Sequence, residues 1–254
     1  MFLSFYLRLT DKDRGPQSNF YLGCIMALIA GAINAGGFLA VKRYTSHMTG
    51  IISGMADDFI LSDFKVVLIG FAALLCFIAG ATTTSLFINW TRRRKLHSEY
   101  AFSLALEAVL LLFFGLLGAN LNVLVEIFVP TTVLLLCFIM GLQNAIMTKV
   151  SRAEIRTTHM TGVVTDIGIE LGRLFYWNNN KHIAVEENVR ANRQKLKALT
   201  MIFINFLIGG VLGALSFKHF GYFTTVPIAI FLVVLAAPPM VRDLLNIFVA
   251  KKII

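Results

Sequence analysis

Long runs of hydrophobic residues follow one another along almost the whole chain, with short polar stretches between them. Several runs reach the length of about 20 residues that a helix needs to cross the hydrocarbon core of a bilayer. We therefore predict an all-α integral membrane protein with about six transmembrane helices. The predicted spans cover residues 20–41, 66–90, 101–119, 123–148, 198–217 and 222–241.

Two further segments, 47–61 and 157–175, have helical character but are shorter and more polar than the six spans. Each begins with nearly the same pentapeptide, "SHMTG" at 46–50 and "THMTG" at 158–162. A polar break at membrane depth survives only where protein or a water-filled cavity covers the backbone. We predict that both segments are re-entrant or broken helices that do not cross the bilayer.

The two pentapeptides belong to a longer internal repeat. "GAINA" at 31–35 resembles "GLQNA" at 141–145, and each precedes its pentapeptide by a similar interval. Each half then has three crossings, an odd number, which inserts the second half upside down relative to the first. We predict one membrane domain, 20–242, made of two inverted repeats at about 20–119 and about 123–242. The alternative is eight full spans in parallel repeats.

Composition and charge agree with a membrane location. The 254 residues are 57% hydrophobic and 15% charged, with a mean hydropathy of +0.75, which is too apolar for a soluble domain. The net charge of +9 is concentrated in "TRRRK" at 91–95 and in the loop 176–197, as expected for cytoplasmic loops. This pattern places the N-terminal segment 1–19 and the tail 243–254 in the cytoplasm. It does not indicate a nucleic-acid partner.

The repeated pentapeptide has a specific physical meaning at the start of a short helix. A hydroxyl residue ahead of such a helix can cap its unpaired N–H groups, and the N-terminus carries partial positive charge. Two such ends facing a common site would favour an anion or an electronegative group. His47 and His159 could act there as proton acceptors, cation ligands or gates, or could only fix the packing. The hydroxyl residues placed for capping are Thr45, Ser46, Thr157 and Thr158.

The solute-path candidates are polar or small residues in and around the repeat. Amides inside apolar helices either bond to neighbouring helices or line a pathway, and Asp166 either carries a proton or lies on a solvated face. Glu107 is a candidate intramembrane acid, or a shallow side chain that reaches the interface. Gly209, Gly210 and Gly213 indicate close helix packing. The path candidates are Asn34, Ser46, His47, Thr49, Gly50, Gln143, Asn144, Thr158, His159, Thr161, Gly162 and Asp166.

Signals for an enzyme are lacking in the sequence. There is no G-x-S-x-G, no H-E-x-x-H and no P-loop, and Cys24, Cys76 and Cys137 have no metal-like spacing. We expect no catalytic residues, no bound metal and no cofactor.

Three stretches together resemble the YoaK family of small bacterial inner-membrane proteins. They are "GAINAGGF" with "SHMTG", "GLQNA" with "RTTHMTGVVTDIG", and "LALEAVLLL". The resemblance covers about 20–240 and implies a bacterial plasma-membrane protein of about six spans with no assigned activity. The family pattern has an acid at Asn34 and an asparagine at Ile51, so any proton coupling through that acid is in doubt here.

We predict a transporter or channel for an unidentified small solute, with a path between the two HMTG half-helices. The alternative is a non-transporting accessory or assembly protein in which these elements are structural. The expected partners are the lipid bilayer and the solute, and a homo-oligomer is left open.

Overall fold

The computed structural model describes residues 9–10, 15–121, 125–150, 160–177 and 189–252, and all regular structure within them is helical. The predicted all-α class is therefore confirmed. Each predicted segment contains one helix. The helices are α1 Pro16–Val41, α2 Met48–Ile60, α3 Phe64–Arg93, α4 Ala101–Ala119, α5 Val125–Val150, α6 Met160–Phe175, α7 Arg193–Phe220 and α8 Thr225–Lys252.

Five stretches of the described chain are long and apolar enough to cross a membrane: α1 from Gln17, α3, α4, α5 and the 54-residue stretch Arg193–Asn246. The last contains α7 and most of α8, which are separated by a 3-10 turn at Gly221–Thr224, where Gly221 has a φ of 58°. Helices α2 and α6 have 13 and 16 residues. Both are shorter than the roughly 20 residues of a spanning helix.

Local sequence accounts for several helix ends. Helix α1 starts with Pro16, whose missing N–H costs nothing in the first turn, and stops at Lys42 in a left-handed conformation. Asp63 caps α3 by accepting from the N–H of Val66. Asn192 caps α7 in the same way through the N–H of Lys195. These caps set where each helix begins, but tertiary packing sets its direction.

The most buried helices are α1, α4 and α5, which form the core of the bundle around Leu22, Leu104 and Leu136. Helix α1 packs mainly on α7, α3 on α5, and α4 on α8. The short helices follow the same arrangement, since α2 packs on α3 and α6 packs on α7. Helices α1 and α5 also contact each other at the centre.

Glycine allows the closest of these approaches. A Cβ at Gly31 would collide with the carbonyl oxygen of Phe206, and one at Gly209 with that of Leu28, where α1 crosses α7. Where α3 crosses α5, a Cβ at Gly141 would collide with the carbonyl oxygen of Phe77. Close backbone approach of this kind is how membrane helices associate without a hydrophobic driving force.

The two crossings use equivalent residues. At the second crossing, a Cβ at Gly80 would collide with the carbonyl oxygen of Phe138, as one at Gly209 would with that of Leu28 at the first. The same number of residues separates Leu28 from Phe138 and Gly31 from Gly141. A second such separation relates Phe77 to Phe206 and Gly80 to Gly209. The α1–α7 contact and the α5–α3 contact are therefore residue-level counterparts.

A polar contact joins the end of α8 to the turn between α3 and α4. The buried carboxylate of Asp243 accepts from the backbone N–H groups of His97 and Ser98 and from the Ser98 hydroxyl at 2.6 Å. The Nδ1 atom of His97 lies 3.1 Å from the same carboxylate. Because Asp243 follows Pro238 and Pro239, this contact fixes the last part of α8 beyond its proline pair.

The glycine crossing predicts different results for two adjacent substitutions. Gly209→Ala places a methyl group against the Leu28 carbonyl and should destabilise the fold by about 1–3 kcal/mol, as overpacking typically does. Gly210→Ala is the matched control, because its Cβ would lie 3.9 Å from the nearest atom, the Gly31 carbonyl oxygen. Thermal unfolding of both proteins in detergent measures the difference. Equal midpoints for the two variants would contradict this packing.

Candidate functional site

A cavity of about 790 Å³ lies where the two halves of the chain meet. It is lined by the first residues of both short helices, Met48 and Thr49 of α2 and Met160 and Thr161 of α6. The paired amides of the longer repeat also reach it, Asn34 on α1 and Asn144 on α5. Ser46 and His47 complete its polar wall. The cavity therefore collects half of the path candidates chosen from the sequence.

The start of α2 differs from the capping arrangement expected from the sequence. The N-cap residue is His47, and no side chain accepts from the first N–H groups of the helix. The predicted capping by Thr45 or Ser46 is therefore wrong. The Ser46 hydroxyl instead donates to the Oδ1 atom of Asn34 at 2.9 Å, because the segment after α1 folds back along that helix. The N–H groups that open α2 remain available to the cavity.

Asn34 is the most deeply placed polar residue of this wall. Its side chain is 7% exposed, and the exposed part faces the cavity that it lines. Its oxygen accepts from Ser46, and among the described residues its Nδ2 atom has no hydrogen-bond partner. Asn34 therefore presents to the cavity an amide whose oxygen is already engaged by Ser46. Asn144 is partly buried, and its Oδ1 atom is enclosed without a partner in the described part of the chain.

The spacing of histidine and glycine in the pentapeptide has a steric cause. The imidazole of His47 folds over the first turn of α2, so that a Cβ at Gly50 would collide with its Nδ1 atom. Only glycine at this position, three residues after the histidine, allows the ring to lie there. The same ring lines both the central cavity and a second cavity of about 300 Å³ between α2 and α3. His47 is thus part of the wall between two spaces.

Aromatic residues form the apolar wall of the central cavity. Phe38, Phe77 and Phe206 line it, and Tyr44 stacks on Phe38 with ring centroids 4.8 Å apart. Sequence reasoning missed these residues. A signal was present, because "FIAG" at 77–80 and "FLIG" at 206–209 repeat a phenylalanine three residues before a crossing glycine.

Four other path candidates do not line the central cavity. Gln143 is buried and donates to the carbonyl oxygen of Met26 at 3.4 Å, so it links α5 to α1. Asp166 pairs with Lys195 at 3.2 Å, which joins α6 to the start of α7. Gly50 lines the smaller cavity. Gly162 is not among the lining residues, and Thr158 and His159 lie outside the described residues.

A second carboxylate holds α6 and α7 together next to Asp166. Glu170 is 1% exposed, pairs with Arg173 at 2.9 Å and accepts from the backbone N–H of Asn192. The guanidinium of Arg173 therefore balances the charge of this carboxylate.

Glu107 is enclosed in the core of the bundle on α4. The residue is fully buried, and neither carboxyl oxygen has a hydrogen-bond partner among the described residues. Ser103, one turn earlier on the same helix, is also buried without a partner there. The side chain does not reach the surface. An unpaired charge is very costly in such surroundings. We therefore expect the carboxyl group of Glu107 to be uncharged.

These apolar helices, packed around a partly polar central cavity, define a multi-helix membrane protein. The chain belongs to the family described as "Protein of unknown function (DUF1275)", which matches residues 22–237. It is similar to the "UPF0700 transmembrane protein YoaK" of Bacillus subtilis (strain 168), with 26% identity over 205 residues that cover 78% of this chain and 84% of the relative. The resemblance drawn from the sequence is thus confirmed. No solved structure gives a significant match.

The environment of Glu107 predicts a neutral acid that infrared spectroscopy can detect. Glu107→Gln should remove a carboxylic-acid C=O band at neutral pH while leaving the thermal midpoint nearly unchanged, because glutamine has almost the same shape. Glu126→Gln, at an exposed position in the first turn of α5, should leave that band in place. A wild-type protein without the band would show that the Glu107 carboxyl is ionised, and a band that persists in Glu107→Gln would show that it comes from another acid.

Proposed function

We propose that this protein is a multi-pass inner-membrane transporter or channel and that a small solute binds in the central cavity. The observation that carries the proposal is that the first residues of both repeated short helices line one cavity. A structural protein has no evident need for two polar helix starts around an open space at this depth. The cavity also has the volume of small-molecule sites, which are usually about 300–1,000 Å³.

We further propose six spans arranged as two inverted repeats. The equivalent glycine crossings support this arrangement, since the contact of α1 with α7 corresponds to that of α5 with α3. The lengths of α2 and α6 support two re-entrant helices. Basic residues after α3 and at the start of α7 favour a cytoplasmic location for both regions and for both termini.

In this proposal His47 separates the solute from the smaller cavity. Its ring borders both spaces, and Tyr44 is the other residue that they share. Movement of the ring would join the two cavities into a longer path. The role proposed for His47 is one of binding and passage.

Release from proteoliposomes tests transport. Vesicles are preloaded with benzenesulfonate, glucose and benzyltrimethylammonium, and the released solutes are quantified by mass spectrometry. We expect faster release of at least one solute from wild-type vesicles than from protein-free vesicles. His47→Ala and His159→Ala should each change that rate by about fivefold, as expected for the loss of one hydrogen bond of ~1 kcal/mol.

Two glycine variants serve as a steric test and its control in the same assay. Gly50→Ala displaces the His47 ring and should reproduce the effect of His47→Ala. Gly168→Ala lies on α6 with no atom within 4 Å of the added Cβ, so its release rate should equal that of wild type. If no solute leaves faster than from protein-free vesicles, or if every histidine variant releases at the wild-type rate, transport through this cavity is wrong. A loss of thermal stability without any change in release would instead favour the accessory role.

A further inference from the structure

We propose that the central cavity binds a small organic anion with one negative charge and an apolar body, such as an aromatic monocarboxylate. This inference rests on the proposed function and specifies its solute. It follows from the charge of the lining, from the hydrogen-bonding groups at the polar end, and from the aromatic residues at the other end.

The charge of the described lining residues disfavours two classes of solute. Among the described residues that line the cavity there is no aspartate or glutamate and no lysine or arginine. A cation would lack an acid to pair with, and burying an unpaired charge is costly. A multiply charged anion would equally lack the basic side chains that such groups require. The lining therefore fits a neutral or singly charged solute.

The N-terminal ends of the two short helices favour a solute with one negative charge over an uncharged solute. The first N–H groups of α2 have no side-chain cap, and Met48 and Thr49 line the cavity. Met160 and Thr161, at the start of α6, line the same space. Each helix N-terminus is equivalent to roughly half a positive charge. Two of them around one cavity can together compensate one anionic group.

Asn34 independently supports a ligand that carries a hydrogen-bond acceptor. The residue is almost fully buried, and its oxygen is already engaged by the Ser46 hydroxyl. Its Nδ2 atom has no partner in the described chain and lies in the wall of the cavity. An amide donor in a cavity wall can bond a ligand oxygen, so a solute that carries an acceptor would gain a hydrogen bond there. A carboxylate can accept from Asn34 and from the start of α2 at once.

The opposite wall fits an apolar body. Phe38, Phe77 and Phe206 contribute aromatic surface, and Leu207 and Val211 extend it along α7. Aromatic and aliphatic walls with a few placed polar groups are usual for sites that bind small organic molecules. An inorganic anion would leave this surface exposed to water. We therefore infer an amphipathic organic acid, not a simple ion.

Three probes of similar shape and size but different charge test how the charge of the solute affects binding. Benzoate, benzamide and benzylamine are titrated against the purified full-length protein in detergent at neutral pH, and binding is measured by isothermal calorimetry. We expect benzoate to bind about tenfold more tightly than benzamide, because of the two helix N-termini, and benzylamine not to bind. Equal binding of benzoate and benzamide, or no binding of benzoate, overturns the anionic class.

Substitution of Asn34 tests the contact directly. Asn34→Leu keeps the volume but removes the N–H donors, so it should weaken benzoate binding about fivefold. Asn34→Asp introduces an acid and should abolish benzoate binding while admitting benzylamine. Gly168→Ala, far from the lining residues, should bind benzoate like wild type. Monodisperse elution from a sizing column checks that each variant is folded, and unchanged benzoate affinity in both Asn34 variants would overturn the assignment.

The two proposals fail in different ways. If benzylamine or benzamide binds best and vesicles still release solute, the anionic class is wrong and transport stands. If benzoate does not bind and no solute leaves the proteoliposomes, both are wrong. Release of benzenesulfonate in preference to glucose and benzyltrimethylammonium, inhibited by added benzoate, supports both.

Discussion

Backbone contact at glycine is the constraint on which the rest of this structure depends. Because Gly31 and Gly141 have no side chain, α1 and α5 each lie directly against a carbonyl oxygen of a helix from the other half of the chain. Asn34 and Asn144 follow these glycines by three residues, and therefore face the same side of their helices. The cavity begins at this contact, since Gly31 and Phe206 also line it, and it extends toward the two asparagines. The packing thus determines where the polar groups lie.

The sequence predicts the helices and the polar half of the site, because both depend on local patterns. Apolar length locates the spans, and the repeated glycine and asparagine single out α1 and α5 as equivalent helices. The roles of Ser46 and Tyr44 could not be predicted in this way. Their contacts require the segment after α1 to fold back along it, which begins with the left-handed Lys42 and ends with stacking on Phe38. Such a reversal depends on distant packing, and no local pattern specifies it.

The pentapeptide joins a steric requirement to a chemical one. Glycine at position 50 gives the imidazole of His47 its place over the first turn of α2, and the ring then borders two cavities. The absence of a side-chain cap leaves the first N–H groups of α2 free to meet a solute. A stronger cap would stabilise the helix but would occupy the same donors. The lack of a side-chain cap at this helix start is therefore consistent with the binding role proposed for it.

The order of the helices in sequence differs from their grouping in space. Helix α2 packs on α3, and α3 packs on α5, while α6 packs on α7 and α7 packs on α1. Each short helix is therefore attached through its neighbour to a helix of the opposite repeat. Helix α1 with α6 and α7 forms one packed group, and α5 with α2 and α3 forms another, each assembled from both halves of the chain and joined by the contact of α1 with α5. Under the proposed transport, any relative motion of these groups would therefore have a boundary that cuts across both repeats.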